Sequence, residues 1–440
     1  MLSVHDIETR KRSSRPSPGA LFASGSLIPF VLVTALFFLW GIPNNLNDVL
    51  IRQFMKSFAI TRLQAGFVQS AFYMGYFLLA LPSAFYMRKA GYKAGFILGL
   101  LLFGLGTLLF WPAALAGRYS FFLFALFVMA SGLAFLETAS NTFIALSGSS
   151  ETSERRLNFS QAFNPLGSIS GALIGTTFIF SGIEPNASRI QQLRALHQYQ
   201  AYIHFETLRV VRPYVVLGGV AFFFAFLIWR TSFPALKDDH ASTLDQGSSI
   251  ARLLKNRHLV LTILAQFFYV GAQVGTWSYF IQYVQDYTGE TEKVAGYFLT
   301  GTLIMFGIGR FTSAFIMKYL EPARLMGSYC LINIALVSIA VLHPGWCGLW
   351  MIFLTSFFMS LMYPTIFALG LQGLGSDSKV GGSLIVMAIV GGAVLTPLMG
   401  IIADWSRNIA YAYSIPLLGY VFIAWYSFFA QTRKAPRHFV

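Results

Sequence analysis

Charge is scarce in this sequence. Of 440 residues only 11% are Asp, Glu, Lys or Arg, against about a quarter in an ordinary soluble globular chain. Acids are the rarer sign, 17 against 31 basic residues. Cysteine is nearly missing as well: Cys330 and Cys347 lie in or beside apolar runs with no C-x-x-C spacing, so neither a disulfide framework nor a metal site is indicated, and both are read as packing residues. Most of the seven histidines fall in tails or loops, and the chain has no H-E-x-x-H and no G-x-S-x-G elbow. A membrane-embedded enzyme or a metal centre is therefore not expected, nor is a cofactor. A nucleotide-binding loop is also missing, so work against a gradient has to draw on an ion gradient.

Apolar residues are abundant, at 56% with a positive mean hydropathy. This is the composition of an integral membrane protein. The formal charge of +14 does not point to nucleic acid, whose partners carry basic stripes on a polar surface. Here Lys and Arg occupy short gaps between long apolar runs. A helix needs about 20 apolar residues to cross hydrocarbon, and twelve runs qualify: 27–54, 64–87, 94–112, 120–147, 159–182 and 213–231, then 259–285, 294–319, 323–343, 346–372, 379–403 and 412–431. The fold class expected is an all-α polytopic membrane protein of twelve transmembrane helices. The first run is too long for a cleaved signal peptide, lacks an A-x-A site and follows a polar tail, so it reads as a spanning helix.

With the N-terminus placed inside, and cations at helix ends counted with the adjoining segment, 20 of the 31 Lys and Arg residues lie inside and ten outside, Arg310 remaining within a helix. That bias puts both termini in the cytoplasm. The organisation expected is a cytoplasmic tail (1–26), a six-helix bundle (27–231), a cytoplasmic linker (232–258), a second six-helix bundle (259–431) and a cytoplasmic tail (432–440). The long outer connection at 183–212 has helical spacing of apolar residues and is expected along the membrane interface.

The two halves repeat each other. "SAFYMR" at 83–88 and "SAFIMK" at 313–318 end the second and eighth runs, and "TFIAL" at 142–146 and "TIFAL" at 365–369 fall late in the fourth and tenth. Parallel repeats of this kind build carriers with a binding site near mid-membrane, between the halves.

An ionisable residue deep in a spanning helix costs several kcal/mol and points to function. Three qualify: Asp48 in the first run, Glu137 in the fourth and Arg310 in the eighth. Asp48 falls roughly 10 Å outward of its helix midpoint and Glu137 slightly inward of its own, at a rise of about 1.5 Å per residue. Each acid has an amide on the same helical face, Asn45 three residues from Asp48 and Asn141 four residues from Glu137, and the fifth run adds Gln161 and Asn164. Amides and carboxylates suit a ligand whose hydroxyls both donate and accept. The seventh run adds a stripe of Gln266, Tyr269, Gln273 and Trp277, and the tenth adds Tyr363 before Pro364. Aromatic faces pack on the C–H side of a sugar ring. Interhelical packing accounts equally well for any one member of the stripe, and Arg310 suits an internal ion pair as well as a ligand contact.

Burial disfavours a charged carboxyl, so Asp48 and Glu137 are suited to exchange protons, and linkage of protonation to sugar binding is what symport requires. Asp48 is assigned the proton; Glu137 is assigned sugar hydroxyls and a share in the proton. At the inner ends of the second and third runs, "MRKAGYK" at 87–93 offers Arg88, Lys89 and Lys93 as a conformational latch or as plain topology-setting cations.

The stretches "FFLWGIPNNLNDVLIRQF", "LQAGFVQSAFYMGYF", "FLETASNTF", "QFFYVGAQVGTWSYF", "YFLTGTLIMFGIGRFT" and "YPTIFALGLQGLG" resemble the L-fucose/proton symporter family of the major facilitator superfamily, nearly end to end. The resemblance implies the major facilitator fold, with Asp48 as the proton-coupling aspartate, Glu137 as the glutamate of the sugar cavity, and Asn45, Gln161, Asn164 and Tyr363 among its polar lining. It implies import of a monosaccharide, L-fucose first. Glucose or galactose are alternatives, with sodium also compatible as coupling ion, and a multidrug/proton antiporter is the reading from another class. Met362 stands where the resemblance leads one to expect Gln, and Pro43 where a smaller residue is expected, able to unwind the first helix and shift Asn45 and Asp48. The expected partners are the sugar and the lipid bilayer, with no nucleic acid and the monomer as working unit. The expected location is a plasma membrane, the bacterial inner membrane.

Overall fold

The computed structural model describes residues 27–147, 156, 159–183, 187–233, 252–317, 319–372, 374 and 378–430. The expected tails, 1–26 and 432–440, and residues 234–251 of the expected linker lie outside the described residues. Among the described residues all regular structure is helical. We number the spanning helices α1 (Leu27–Phe58), α2 (Arg62–Met87), α3 (Lys89–Ala116), α4 (Tyr119–Ile144), α5 (Phe163–Ile174, continued by a π-helical turn Gly175–Ile179), α6 (Tyr199–Arg230), α7 (Arg257–Ser278, resumed as Phe280–Thr288), α8 (Glu292–Ile316), α9 (Pro322–Leu342), α10 (Trp346–Leu371), α11 (Gly381–Ser406) and α12 (Ile409–Phe429). Eleven are long and apolar enough to cross a membrane unaided; α5, interrupted by its π turn, completes two six-helix halves.

Helix boundaries depart from the sequence reading where backbone chemistry or tertiary contacts outweigh hydropathy. The turn between α2 and α3 falls at Gly91, within the first residues of the α3 span, with φ 83° and ψ 166°, a conformation essentially closed to residues with a Cβ. Helix α6 begins at Tyr199 rather than 213. The stretch expected along the interface splits into a short helix, Ala187–Ala195, and the first turns of α6. Glu206 explains this: its carboxylate is fully buried against α1, accepting hydrogen bonds from Gln53 Nε2 (3.1 Å) and Ser181 Oγ (2.7 Å), so these turns join the bundle. Helix α1 runs unbroken through Pro43. The expected unwinding does not occur, because neighbouring helices hold a proline-containing spanning helix in shape.

Within each half, close backbone crossings set the positions of the functional helices. In the first, α5 lies against α1 so tightly that a Cβ on Gly167 would stand 2.1 Å from the carbonyl oxygen of Phe38, and one on Gly171 2.1 Å from that of Ile42. In the second, a Cβ on Gly391 of α11 would stand 2.0 Å from the Phe267 carbonyl of α7. The pairs α1/α5 and α7/α11 are equivalents under the sequence repeat, so the repeat extends to the crossings. Small residues at a crossing let membrane helices pack by close van der Waals contact. Gly167→Ala is expected to force α1 and α5 apart and to destabilise the bundle by about 2 kcal/mol or more, read as a lowered unfolding midpoint in detergent. An unchanged midpoint would show that the crossing is not tight.

The halves meet at the face that the cation bias places outside. Lys56 of α1 donates to Glu292 of α8 (2.9 Å) and pairs with Glu206 of α6 (3.3 Å), both carboxylates being fully buried. Arg62 of α2 pairs with Asp286 of α7. Asp404 of α11 accepts from the backbone N–H groups of Arg62 (3.1 Å) and Leu63 (2.9 Å), two of the amides that a helix start leaves without an intrahelical acceptor. Deeper in, Ser70 of α2 donates to the Ala393 carbonyl of α11 (2.7 Å). The outer face is thus closed.

Candidate functional site

A cavity of about 720 Å³ lies between the halves. Its wall runs from Asp48 and Trp277, behind the closed face, to Leu81 of α2, Thr142 of α4, Leu371 of α10 and Ser383 of α11, toward the opposite ends of those helices, the face that the cation bias places inside. A larger groove between α1, α5 and α6 is lined by exposed side chains such as Phe38, Leu166 and Val216 and lies on the periphery of the bundle.

The structure brings most of the singled-out residues to the inward cavity: Asn45, Asp48, Glu137, Asn141, Gln161, Asn164, Tyr269, Gln273, Trp277, Arg310 and Tyr363 all line it. Gln266 does not. It is fully buried about a turn nearer the start of α7 and forms no part of the wall.

The two acids occupy opposite kinds of environment. Asp48 is 2% exposed and both its oxygens are engaged. Oδ2 accepts from Asn45 Nδ2 (2.9 Å), while Oδ1 accepts from Gln69 Nε2 (2.8 Å) and from Ser278 Oγ (3.0 Å). Gln69 also donates to Ser278 (2.9 Å). This holds a carboxylate without a formal counter-charge, each donor offsetting part of the desolvation. Glu137 instead sits on the cavity wall, half-buried. One carboxyl is held by the protein; the other faces whatever enters.

Polar groups around Glu137 form a rim. Gln161 donates to Asn141 Oδ1 (3.2 Å), joining α5 to α4, and Asn164 donates to the Phe37 carbonyl (3.3 Å), joining α5 to α1. Opposite, the aromatic stripe turns its polar atoms away from the cavity: Tyr269 donates to the Met359 carbonyl (3.1 Å) and Trp277 Nε1 to Ser356 Oγ (3.1 Å). Trp277 packs edge-to-face on Phe306 (5.2 Å between centroids) and Tyr269 on Tyr363 (6.2 Å). Arg310 stands over the Phe306 ring at 5.5 Å. No carboxylate pairs with it among the described residues, so of its two readings the cavity-facing cation fits better.

Of the cationic group at the inner end of α2, Lys89 is exposed and Lys93 donates to the Trp229 carbonyl of α6 (2.9 Å), a partner in the same half. The Arg88 side chain lies outside the described residues. In this conformation, with the inner face open, Lys93 is not a latch between halves.

Sequence reasoning missed Gln69, Tyr73 and Tyr76 on α2, Phe306 on α8, and Ser278. The α2 trio recurs at helical spacing and shares one face, a signal that was present. Ser278, next to the α7 break at Tyr279, leaves no such trace.

Residues 20–378 match the family model described as Major Facilitator Superfamily. The chain is 44% identical over 401 residues to the L-fucose-proton symporter of Escherichia coli strain K12, covering 90% of this chain and 92% of that one. It is 32% identical over 400 residues to a glucose/galactose transporter of Brucella abortus, covering 90% and 92%. Among solved structures it superposes on a major facilitator superfamily transporter, FucP, in the outward conformation, with TM-score 0.70 and 42% identity over 93% of this chain and 100% of that chain.

Proposed function

The chain belongs to the major facilitator superfamily, in its L-fucose-proton symporter family, and from that premise we propose that it imports a monosaccharide, L-fucose first, together with a proton. The observation that carries this reading is the pair of unlike acids. Asp48, enclosed and hydrogen-bonded behind the closed outer face, carries the proton; Glu137, bare toward the cavity, receives sugar hydroxyls with Asn141, Gln161 and Asn164 beside it. The ring faces of Tyr269, Trp277 and Tyr363 take the C–H side of the sugar, and Arg310 donates to its oxygens. L-fucose is preferred over glucose or galactose because the symporter relative is the more similar of the two.

In this reading the protein sits in a bacterial inner membrane with both termini in the cytoplasm and works as a monomer, and the conformation described is the inward-open one. A proton and a sugar enter from outside, the halves rock about the site, and both leave through the inward cavity. The amide-rich rim argues against a multidrug antiporter, whose cavity would be dominated by apolar and aromatic groups.

The test is the pH outside lightly buffered, de-energised cells as L-fucose, D-galactose and D-glucose are added singly. Alkalinisation on L-fucose, absent without the protein, is expected. A response to glucose or galactose alone would change the substrate; labelled uptake that follows sodium and leaves pH unmoved would change the ion.

A further inference from the structure

Ser278 belongs to the second half of the protein, yet its hydroxyl lies 3.0 Å from the carboxylate of Asp48 in the first. It is the group on the second half that touches that acid among the hydrogen bonds of the described residues, the others coming from Asn45 and Gln69 of the first half. Its place follows from the break in α7. At Tyr279 the helix is interrupted, and the two residues at the break both reach the first half: Ser278 to Asp48 and Gln69, and Tyr279, through its hydroxyl, to the Arg62 carbonyl at the start of α2 (2.9 Å). Arg62 is itself part of the outer closure. One local distortion therefore ties the proton-carrying acid and the outer seal to the same point of α7.

We propose that Ser278 is a positioning residue through which the second half drives proton release: its hydroxyl donates to the Asp48 carboxylate while the outer face is closed and is withdrawn with α7 when that face opens. This rests on the reading of Asp48 as the proton carrier. The direction suits an importer. A carboxylate accepting three donors is better supported in its charged form than one that has lost a donor, so with the outer face closed the proton leaves more readily to the inside. Once α7 moves away, Oδ1 keeps only Gln69, a buried anion is less well supported, and the acid takes up a proton from outside. Other ionisable groups do not supply this switch. Those facing Asp48 are Tyr73 of α2 and Tyr214 of α6, with Glu137 of α4 on the same cavity, all in the first half; Arg310 and Tyr363 of the second half line that cavity too, but the ionisable neighbours of Arg310 are Tyr269 and Tyr363, not Asp48. α5 carries none, and the α7 tyrosines near this level bond elsewhere, Tyr269 to Met359 and Tyr279 to Arg62.

The experiment is L-fucose-driven net uptake in proteoliposomes with external pH fixed and internal pH varied. Acid inside opposes proton release and slows turnover. In Ser278→Ala the internal pH for half-maximal uptake is expected to move about one unit to the alkaline side, since a hydrogen bond to a charged group is being removed, while Ser278→Thr, which keeps the hydroxyl, stays near the parent. A loss of rate at every internal pH with an unmoved midpoint would make Ser278 structural and overturn the proposal, as would a midpoint shifted equally by Thr. Asp48→Asn is run alongside: if it still accumulates sugar against a gradient, the reading of Asp48 has failed instead.

Discussion

Asp48→Asn is expected to abolish accumulation of sugar while leaving a folded protein. A membrane potential of about 100 mV is worth about 2.3 kcal/mol per charge moved, about fifty-fold in sugar concentration, and a carrier that cannot bind the proton forfeits all of it. The asparagine fits the site. Its carbonyl oxygen, placed at the Oδ1 position, still accepts from Gln69 and Ser278, and its amide nitrogen faces Asn45, which meets it by turning its own amide over. What is lost is the group that exchanges a proton. The measurement is the steady-state ratio of internal to external labelled L-fucose under an imposed proton gradient, with exchange of labelled for unlabelled sugar as a companion. A ratio well above one would place the coupling elsewhere.

Lys56→Met is expected to shift the protein toward the outward-open state. Lys56 is the cation shared by Glu206 and Glu292, and its side chain is 8% exposed while both acids are fully buried. Removing one member of a buried ion pair costs about 3–5 kcal/mol, here charged to the outer-closed conformation, because in the open one Glu292 parts from the first half and meets water. Even about 3 kcal/mol changes the ratio of the two states by about a hundredfold. A cysteine placed at Ser70, where α2 meets α11, reports it. In a Cys347→Ser background, an impermeant thiol reagent added outside should label Ser70→Cys slowly while Lys56 is present and much faster once Lys56→Met is added. Equal labelling would mean that the Lys56 pairs do not hold the face shut.

Much of the fold was legible in the sequence because a bilayer imposes simple demands. Every backbone polar group must be satisfied within a helix, so long apolar runs mark spans, and the repeat at 83–88 and 313–318 marks the halves. Boundaries were less legible where a polar residue is buried by tertiary contact: nothing local to Glu206 announces Lys56, Gln53 and Ser181. At the site, the acids and amides could be found because buried polarity stands out against apolar helices. Their division of labour could not. Asp48 is enclosed by Gln69 and Ser278 and Glu137 is not, and that difference depends on how α2 and α7 pack. Gln266 looked equivalent to Gln273 in spacing and shares its face of α7, yet it is fully buried two turns nearer the start of the helix, off the wall that Gln273 lines.

Asp404 meets the start of α2 through peptide N–H groups, next to a capping box in which Thr61 accepts from the Gln64 amide. A carboxylate set against a helix start also faces the positive end of its dipole. Mobile ions weaken exposed charge pairs over about 8 Å at physiological ionic strength, but reach buried pairs far less. With Lys56 and its two acids also enclosed, these contacts are largely insulated from the salt of the surrounding medium, and the more exposed Arg62–Asp286 pair is the part of the closure that salt reaches.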